Sequence, residues 1–260
     1  MNKILENLKI LDLEESIDLQ DIAPDGRIGI VALSTDYNLE QDIRRMLPST
    51  IEVFTNRVLY LNPMTSENLL AMAGDIERAA GGILPGLGVN VAIYGCTSGT
   101  AVIGFDRIRD LIQKAHPDAP VTTPLIAGVK GLKAVGAAKL SVLTPYNREI
   151  NQGMVDFLEN AGFEVVNLVG LGFDNDLDVT RVTPEEIVRL GVEHFDPSAD
   201  ALFISCTAFR ASLAIEELER KLGKPAVSSN QALAWHCMQL LGCDREVKGF
   251  GSLFNFKAVS

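Results

Sequence analysis

The stretch from residue 91 to residue 100, VAIYGCTSGT, decides the fold: an apolar run stops at Cys96, which glycines and hydroxyl residues flank. Residues 201 to 208, ALFISCTA, repeat the design 110 positions later, and this run stops at Cys206. Short apolar runs bounded by turn residues are typical of buried strands in a parallel sheet. Ligands of open α/β sheets lie beyond the carboxyl ends of such strands. Both cysteines are therefore predicted to lie where binding and chemistry occur.

An unpaired cysteine is most often a small buried hydrophobic residue, and this alternative stands for either cysteine alone. The repeat favours a functional role for the two cysteines over simple burial. Cys96 and Cys206 end matching runs and are each followed by threonine. A repeat of this kind favours a symmetric site with two thiols.

Composition restricts the class of protein. The chain has 260 residues, of which 47% are hydrophobic and 22% charged, which indicates a globular protein of two modest domains or one large one. Its net charge of -11, from 34 acidic and 23 basic residues, argues against binding to nucleic acid or an anionic membrane. The N-terminus lacks the apolar core of a signal peptide, and no run approaches the length of a membrane span. We expect a cytoplasmic chain without nucleic-acid or membrane partners.

Four cysteines in a cytoplasmic chain are expected to be thiols rather than disulfides. Cys96 and Cys206 have no second ligand at the spacing of a metal site, and His236 lies in an apolar, helical-looking segment that favours core packing. The chain also lacks the glycine-rich loops that bind nucleotide phosphates. We therefore predict neither a metal nor a cofactor.

Strands and helices alternate along the chain, which predicts an α/β fold with parallel sheets. Ser34 and Thr144 each follow the first strand of a series and lie 110 residues apart, the same offset as the cysteines. We predict two similar α/β halves, residues 27–136 and 137–260, related by a pseudo-twofold axis with the active site in the cleft between them. Residues 1–26 would form an arm. An alternative place for the last helix of the second half is against the first half. Single helices are predicted from Ser66 to about Leu84 and from about Thr100 to Lys114.

Two thiols that face each other across a small carboxylate can take a proton from one face of a carbon and return one to the other. This requires a lowered pKa on at least one cysteine, which the start of a following helix can supply. The glycine, serine and threonine residues around Cys96 favour an anion pocket. The alternative is that they only form a tight turn and cap the helix.

Five motifs, in their order along the chain, resemble those of the aspartate/glutamate racemase superfamily. The resemblance is to the branch that includes maleate cis-trans isomerase, arylmalonate decarboxylase and the racemase-like proteins of ectoine utilisation. A weaker motif, NPMTSENL at 62–69, resembles the ectoine-type proteins in particular. The five motifs are LSTDYNLE (33–40), YGCTSG (94–99), LTPY (143–146), FISCT (203–207) and SSNQA (228–232).

The resemblance implies roles for matching positions. Cys96 and Cys206 would be the catalytic pair. Tyr146 would hold a substrate carboxylate together with Thr97, Ser98 and the backbone at Thr207, and Asn230 would shape the pocket. The presence of both cysteines argues against arylmalonate decarboxylase chemistry proper, where the first position is glycine.

Asp36 departs from the maleate isomerases, which carry asparagine in this motif. An ionised aspartate only accepts hydrogen bonds, so it would repel a second substrate carboxylate and attract an ammonium or amide donor. Asp36 therefore favours an amino acid or a derivative as substrate. The alternative is that Asp36 caps the following helix.

We thus predict a cofactor-independent racemase or epimerase that acts at the carbon next to a carboxylate, with Cys96 and Cys206 as alternating acid and base. One alternative is cis-trans isomerisation of a small dicarboxylate such as maleate, in which one cysteine adds to the double bond. Another is a module that binds a small acid without catalysis. The expected partner is a small carboxylate, and the leucine-rich arm and helices favour a homo-oligomer.

Overall fold

The structure is a computed structural model that describes residues 14–258. Residues 1–13, half of the predicted arm, lie outside this range. Residues 14–22 contain no helix or strand and are exposed, including the large side chains of Ile17, Leu19 and Ile22. The first buried side chain is that of Ala23, directly before the first strand.

The first sheet contains four parallel strands in the order β2-β1-β3-β4. Every residue of the central strand β3 is buried, as expected for a strand covered on both faces. Ile30 of β1 is paired with Ile93 of β3, in the middle of the core. The strands are β1 (Gly26–Leu33), β2 (Ile51–Val58), β3 (Val91–Gly95) and β4 (Val121–Thr122).

The second sheet repeats the topology with the order β6-β5-β7-β8, again all parallel. Its strands are β5 (Lys139–Thr144), β6 (Glu164–Gly170), β7 (Ala201–Ile204) and β8 (Ala226–Ser228). The predicted fold class of two similar parallel α/β halves is confirmed.

Eleven α-helices connect and cover the strands within the described residues. They are α1 (Leu39–Met46), α2 (Ser66–Ala71), α3 (Ile76–Gly81), α4 (Thr97–Ile103), α5 (Phe105–Gln113), α6 (Pro124–Ala134), α7 (Arg148–Asn160), α8 (Asp176–Val179), α9 (Pro184–Glu193), α10 (Ile215–Leu222) and α11 (Ser229–Leu241).

Two predicted helices are interrupted. The helix predicted from Thr100 to Lys114 is two helices, because Gly104 has φ 89°, a left-handed conformation that no continuous α-helix contains. The helix predicted from Ser66 to about Leu84 is divided by a 3₁₀ turn at Met72–Asp75 and ends at Gly81. Both predictions of a single helix were wrong, since an apolar period does not reveal a local break of this kind.

The halves exchange helices. Helix α6, which follows β4 of the first sheet, packs against β7 and β8, while α11, which follows β8, packs against β3, β4 and α1. The two helices also pack on each other, and residues 229–238 of α11 are all buried, as in a helix surrounded by protein. This exchange brings the carboxyl ends of β3 and β7 to a shared space. No helix within residues 14–258 has the length and apolar character needed to cross a membrane.

Candidate active site

A small cavity lies at the carboxyl ends of β3 and β7, with both sequence-predicted cysteines in its wall. The volume open to the centre of a water molecule is only about 10 Å³, which is room for about one water. The lining residues are Leu33, Tyr60, Met64, Leu69, Cys96, Thr97, Ser98, Tyr146, Asp176, Cys206, Thr207 and Ala208.

Cys96 is the residue that precedes α4, and its sulfur accepts the backbone N–H of Gly99 at 3.1 Å. The Ser98 hydroxyl lies 3.6 Å from the same sulfur. A side chain at position 99 would disturb this arrangement, because a Cβ there would be 2.9 Å from the sulfur. Two donors therefore converge on Cys96, an environment that favours a thiolate over other buried thiol positions.

Cys206 follows β7 in a strained backbone conformation. Its φ of 114° lies in a region that non-glycine residues rarely adopt. Its backbone N–H donates to the Ser229 hydroxyl at 3.1 Å, at the start of α11. Strain of this kind persists where surrounding contacts hold it, and it is concentrated at functional sites.

Both cysteines have raised pKa values. Burial raises the pKa of Cys96 to about 12, against the opposing effects of Ser98 and Gly99. Burial, followed by the negative charges of Asp176 and Asp36, also raises the pKa of Cys206 well above its ordinary value. The prediction of a lowered cysteine pKa was wrong, since the loss of water around the thiolate outweighs the local donors.

The four hydroxyl residues predicted to hold a carboxylate all line the cavity: Thr97, Ser98, Tyr146 and Thr207. The Thr97 hydroxyl lies 3.1 Å from that of Ser229. The Tyr146 hydroxyl accepts from Ser205 at 3.2 Å. The Thr207 hydroxyl donates to the Gly95 carbonyl at 3.4 Å, across the two halves.

Asp36 does not line the cavity. One of its carboxylate oxygens accepts the backbone N–H groups of Asn38 and Leu39, at 2.9 and 3.0 Å, so the side chain caps the start of α1. Burial raises the pKa of this carboxyl. The capping alternative fits this position, and the argument from Asp36 for an amino-acid substrate has no contact in the cavity to support it.

Asn230 also lies behind the cavity wall rather than on it. Its amide donates to the Thr207 carbonyl at 2.8 Å and to Asp42 at 3.0 Å. Asn38 donates to the same carbonyl at 2.9 Å. These buried amides hold the chain after Cys206 in position and connect α1 to α11.

A family model described as arylmalonate decarboxylase matches residues 29–254. The chain belongs to the arylmalonate decarboxylase family. It is 26% identical to maleate isomerase of Geobacillus stearothermophilus over 247 residues, which covers 89% of this chain and 98% of that protein. It is 27% identical to arylmalonate decarboxylase of Bordetella bronchiseptica over 192 residues, 73% of this chain and 78% of that protein.

A similar solved structure is that of a cysteine-to-serine mutant of Nocardia farcinica maleate cis-trans isomerase with a covalently bound succinylcysteine intermediate. Its TM-score is 0.80 at 25% identity, covering 88% of this chain and 97% of that chain. These relatives are enzymes, and the predictions of an enzyme and of the isomerase class are confirmed. The finer resemblance to ectoine-utilisation proteins stays a prediction.

The sequence interpretation missed two polar residues of this family member's cavity, Tyr60 and Asp176. Both follow edge strands, β2 and β6, whose carboxyl ends point to the same side as those of β3 and β7. That shared direction was the available signal, but neither residue belongs to a motif. Within residues 14–258, no group of three or more His, Cys, Asp or Glu side chains is arranged to hold a metal ion.

Proposed function

We propose that this chain catalyses cis-trans isomerisation of a small unsaturated acid of the maleate type, by reversible addition of a cysteine to the double bond. The observation that carries the proposal is the pair of thiols, Cys96 and Cys206, in the wall of one small cavity lined by hydroxyl groups. A relative with 25% identity over 97% of its chain holds a succinylcysteine intermediate, the product expected of such an addition.

In the proposed reaction Cys96 is the nucleophile, because its sulfur accepts the Gly99 N–H and lies beside the Ser98 hydroxyl. Its proton goes to solvent before the substrate enters. The thiolate adds to one alkene carbon, and the π electrons move to the neighbouring carbon and its carboxylate. Hydroxyl donors in the wall, among them Tyr146, stabilise this charge.

Cys206 then donates its proton to the carbon that carries the electron pair, which yields a saturated adduct on Cys96. Rotation follows about the carbon–carbon bond that was the double bond and is now single. The Cys206 thiolate takes the proton back, and the carbon–sulfur bond breaks with its electrons returning to Cys96. The double bond re-forms in the trans geometry, so the reaction consumes no other reactant.

The test is proton NMR of the purified chain with maleate, and with its half-amide, to follow the trans product. We expect turnover by the wild type, a loss of at least about 1,000-fold in Cys96→Ser and Cys206→Ser, and full activity in Cys243→Ser, whose cysteine lies outside the cavity. Retention of activity in both variants would contradict the proposal.

A second candidate is the racemase or epimerase predicted from the sequence. The observation that favours it is Asp176, an acceptor in the cavity wall that would suit a substrate ammonium group. Exchange of α-protons of amino acids in deuterated water, without isomerisation of either unsaturated acid, would select this candidate.

A further inference from the structure

Asp176 is a buried carboxyl group in the wall of the active-site cavity. It is 4% exposed, and within the described part of the chain the Thr35 hydroxyl, at 2.9 Å, is the one side-chain donor to it. No Lys, Arg or His side chain in residues 14–258 forms an ion pair with it. A buried carboxylate with one donor and no cation retains unused acceptor capacity, which a ligand with an N–H group would satisfy.

Tyr60 supplies a hydrogen-bond donor that complements the acceptor Asp176. It lines the same cavity and is 3% exposed, and its hydroxyl has no hydrogen-bond partner among the described residues. Buried hydroxyls are nearly always paired, so an unpaired one at a cavity wall indicates a group that a ligand engages. The charge of Asp176 acts on this hydroxyl and contributes to the raised pKa of Tyr60, after burial.

A carboxamide offers what these two groups lack. Its carbonyl accepts a hydrogen bond, as the Tyr60 hydroxyl requires, and its NH₂ donates, as the Asp176 carboxylate requires. We propose that Tyr60 and Asp176 form a subsite for a carboxamide, so that the substrate carries one carboxylate and one amide instead of two carboxylates. This inference rests on the proposed function and narrows its substrate class.

A second carboxylate would be disfavoured at this subsite. Asp176 would face it directly, Asp36 lies close enough to act on Asp176, and the Cys96 thiolate adds a further negative charge during reaction. Like charges in a buried site repel strongly because little water screens them. The cavity thus selects against a dicarboxylate by the charge of its own wall.

The first experiment compares kcat/KM for the half-amide of maleate and for maleate in the full chain. We expect the wild type to prefer the half-amide by about tenfold or more, and Asp176→Asn to shift the preference toward maleate by about 100-fold. Tyr60→Phe should lower kcat/KM for the half-amide about tenfold. Asp178→Asn, a control on the same helix whose carboxylate pairs with Arg181, should leave both values unchanged.

A binding experiment separates failure of this inference from failure of the proposed function. Succinamate, succinate and β-alanine, none of which has a double bond, are tested for protection of Cys96 against iodoacetamide. We expect protection at the lowest concentration with succinamate, and loss of this preference in Asp176→Asn.

Equal or better protection by succinate or β-alanine would overturn the carboxamide subsite, whatever the activity assays show. Absence of isomerisation together with selective protection by succinamate would overturn the proposed reaction and leave the subsite in place. A wild-type preference for maleate over its half-amide would contradict the subsite while supporting the reaction.

Discussion

At the scale of single residues, the chemistry of the site depends on how two sulfur atoms are buried. Cys96 combines a raised pKa with two nearby donors, so burial disfavours the thiolate while the Gly99 N–H and the Ser98 hydroxyl are placed to bind it. Desolvated thiolates are strong nucleophiles once formed, since no water shell has to be removed. Burial therefore lowers the population of the reactive form and raises its reactivity.

The raised pKa of Cys96 predicts a pH dependence. With a pKa of about 12, the thiolate fraction grows throughout the neutral range, so alkylation of Cys96 by iodoacetamide should accelerate about tenfold per pH unit from about pH 7 to 9. Peptide mass spectrometry on the segment that contains Cys96 measures the rate. A plateau below pH 9 would show that the helix start governs the thiol instead of burial.

The raised pKa of Asp176 predicts that its replacement changes the stability of the protein in a pH-dependent way. Burial raises its pKa from 3.8 to about 6, so the native state holds its proton more tightly than the unfolded state. The resulting stabilisation is present below pH 4 and is lost as pH rises through about 6. Asp176→Asn should therefore raise the free energy of unfolding at pH 7 by about 1–3 kcal/mol, with no gain below pH 4.

Urea unfolding at both pH values measures this effect, with Asp178→Asn as the control. Asp178 is partly exposed and ion-paired, so its replacement should produce no such pH-dependent gain. A destabilised Asp176→Asn variant at pH 7 would mean that the buried carboxylate has support beyond Thr35.

At this scale, sequence reasoning placed the residues that belong to motifs. It brought Cys96, Cys206 and four hydroxyl residues to one predicted site, and all six line the cavity. It could not place Asp176 or Tyr60, because their positions depend on where two loops end after edge strands. It also could not distinguish a carboxylate in the wall from one that caps a helix, as at Asp36.

At the scale of elements, the turn after β7 holds Cys206 at φ 114°. Ser229, at the start of α11, accepts the Cys206 N–H, and Asn230 donates to the next carbonyl along the chain. The turn is therefore fixed by α11, the helix that follows β8 and packs against the first sheet. This arrangement places the Cys206 side chain in the cavity wall and holds the backbone in a strained conformation.

The strain predicts an order of stability among substitutions at this turn. Cys206→Gly should be more stable than Cys206→Ala by about 1 kcal/mol, because glycine adopts a positive φ without steric cost while alanine does not. Thermal and urea denaturation of the two variants test this. The opposite order, as usually seen for glycine and alanine in regular structure, would show that the turn relaxes without cost.

Element boundaries were the least predictable part of the sequence. The strands that carry the cysteines follow from continuous apolar runs, which periodicity detects well. The break at Gly104 and the short helix α8 depend on single backbone conformations, which local patterns do not specify.

At the scale of the whole molecule, the exchange of α6 and α11 joins the two halves into one core. Repeat spacing predicted two similar halves, but it gave no information on how tightly they share their helices. Trp235 lies in the middle of α11 and is 1% exposed. Its indole N–H donates to the Phe256 carbonyl at 2.9 Å, so its environment reports on the packing of α11 against the C-terminal segment.

The shared core predicts cooperative unfolding. In urea, fluorescence of Trp235, the only tryptophan of the chain, and far-ultraviolet circular dichroism should give coincident transitions. A fluorescence change that precedes loss of helical signal would indicate that α11 loses its packing before the rest of the chain unfolds.

Mass spectrometry of the Cys206→Ser variant incubated with maleate, and separately with its half-amide, tests the central claim most directly. Solvent then supplies the proton that forms the saturated adduct, and no Cys206 thiolate is present to take it back, so we predict an adduct of one substrate molecule that maps to Cys96. An adduct confined to Cys237 or Cys243, or no adduct together with undiminished turnover, would contradict the account of two thiols acting on one small acid.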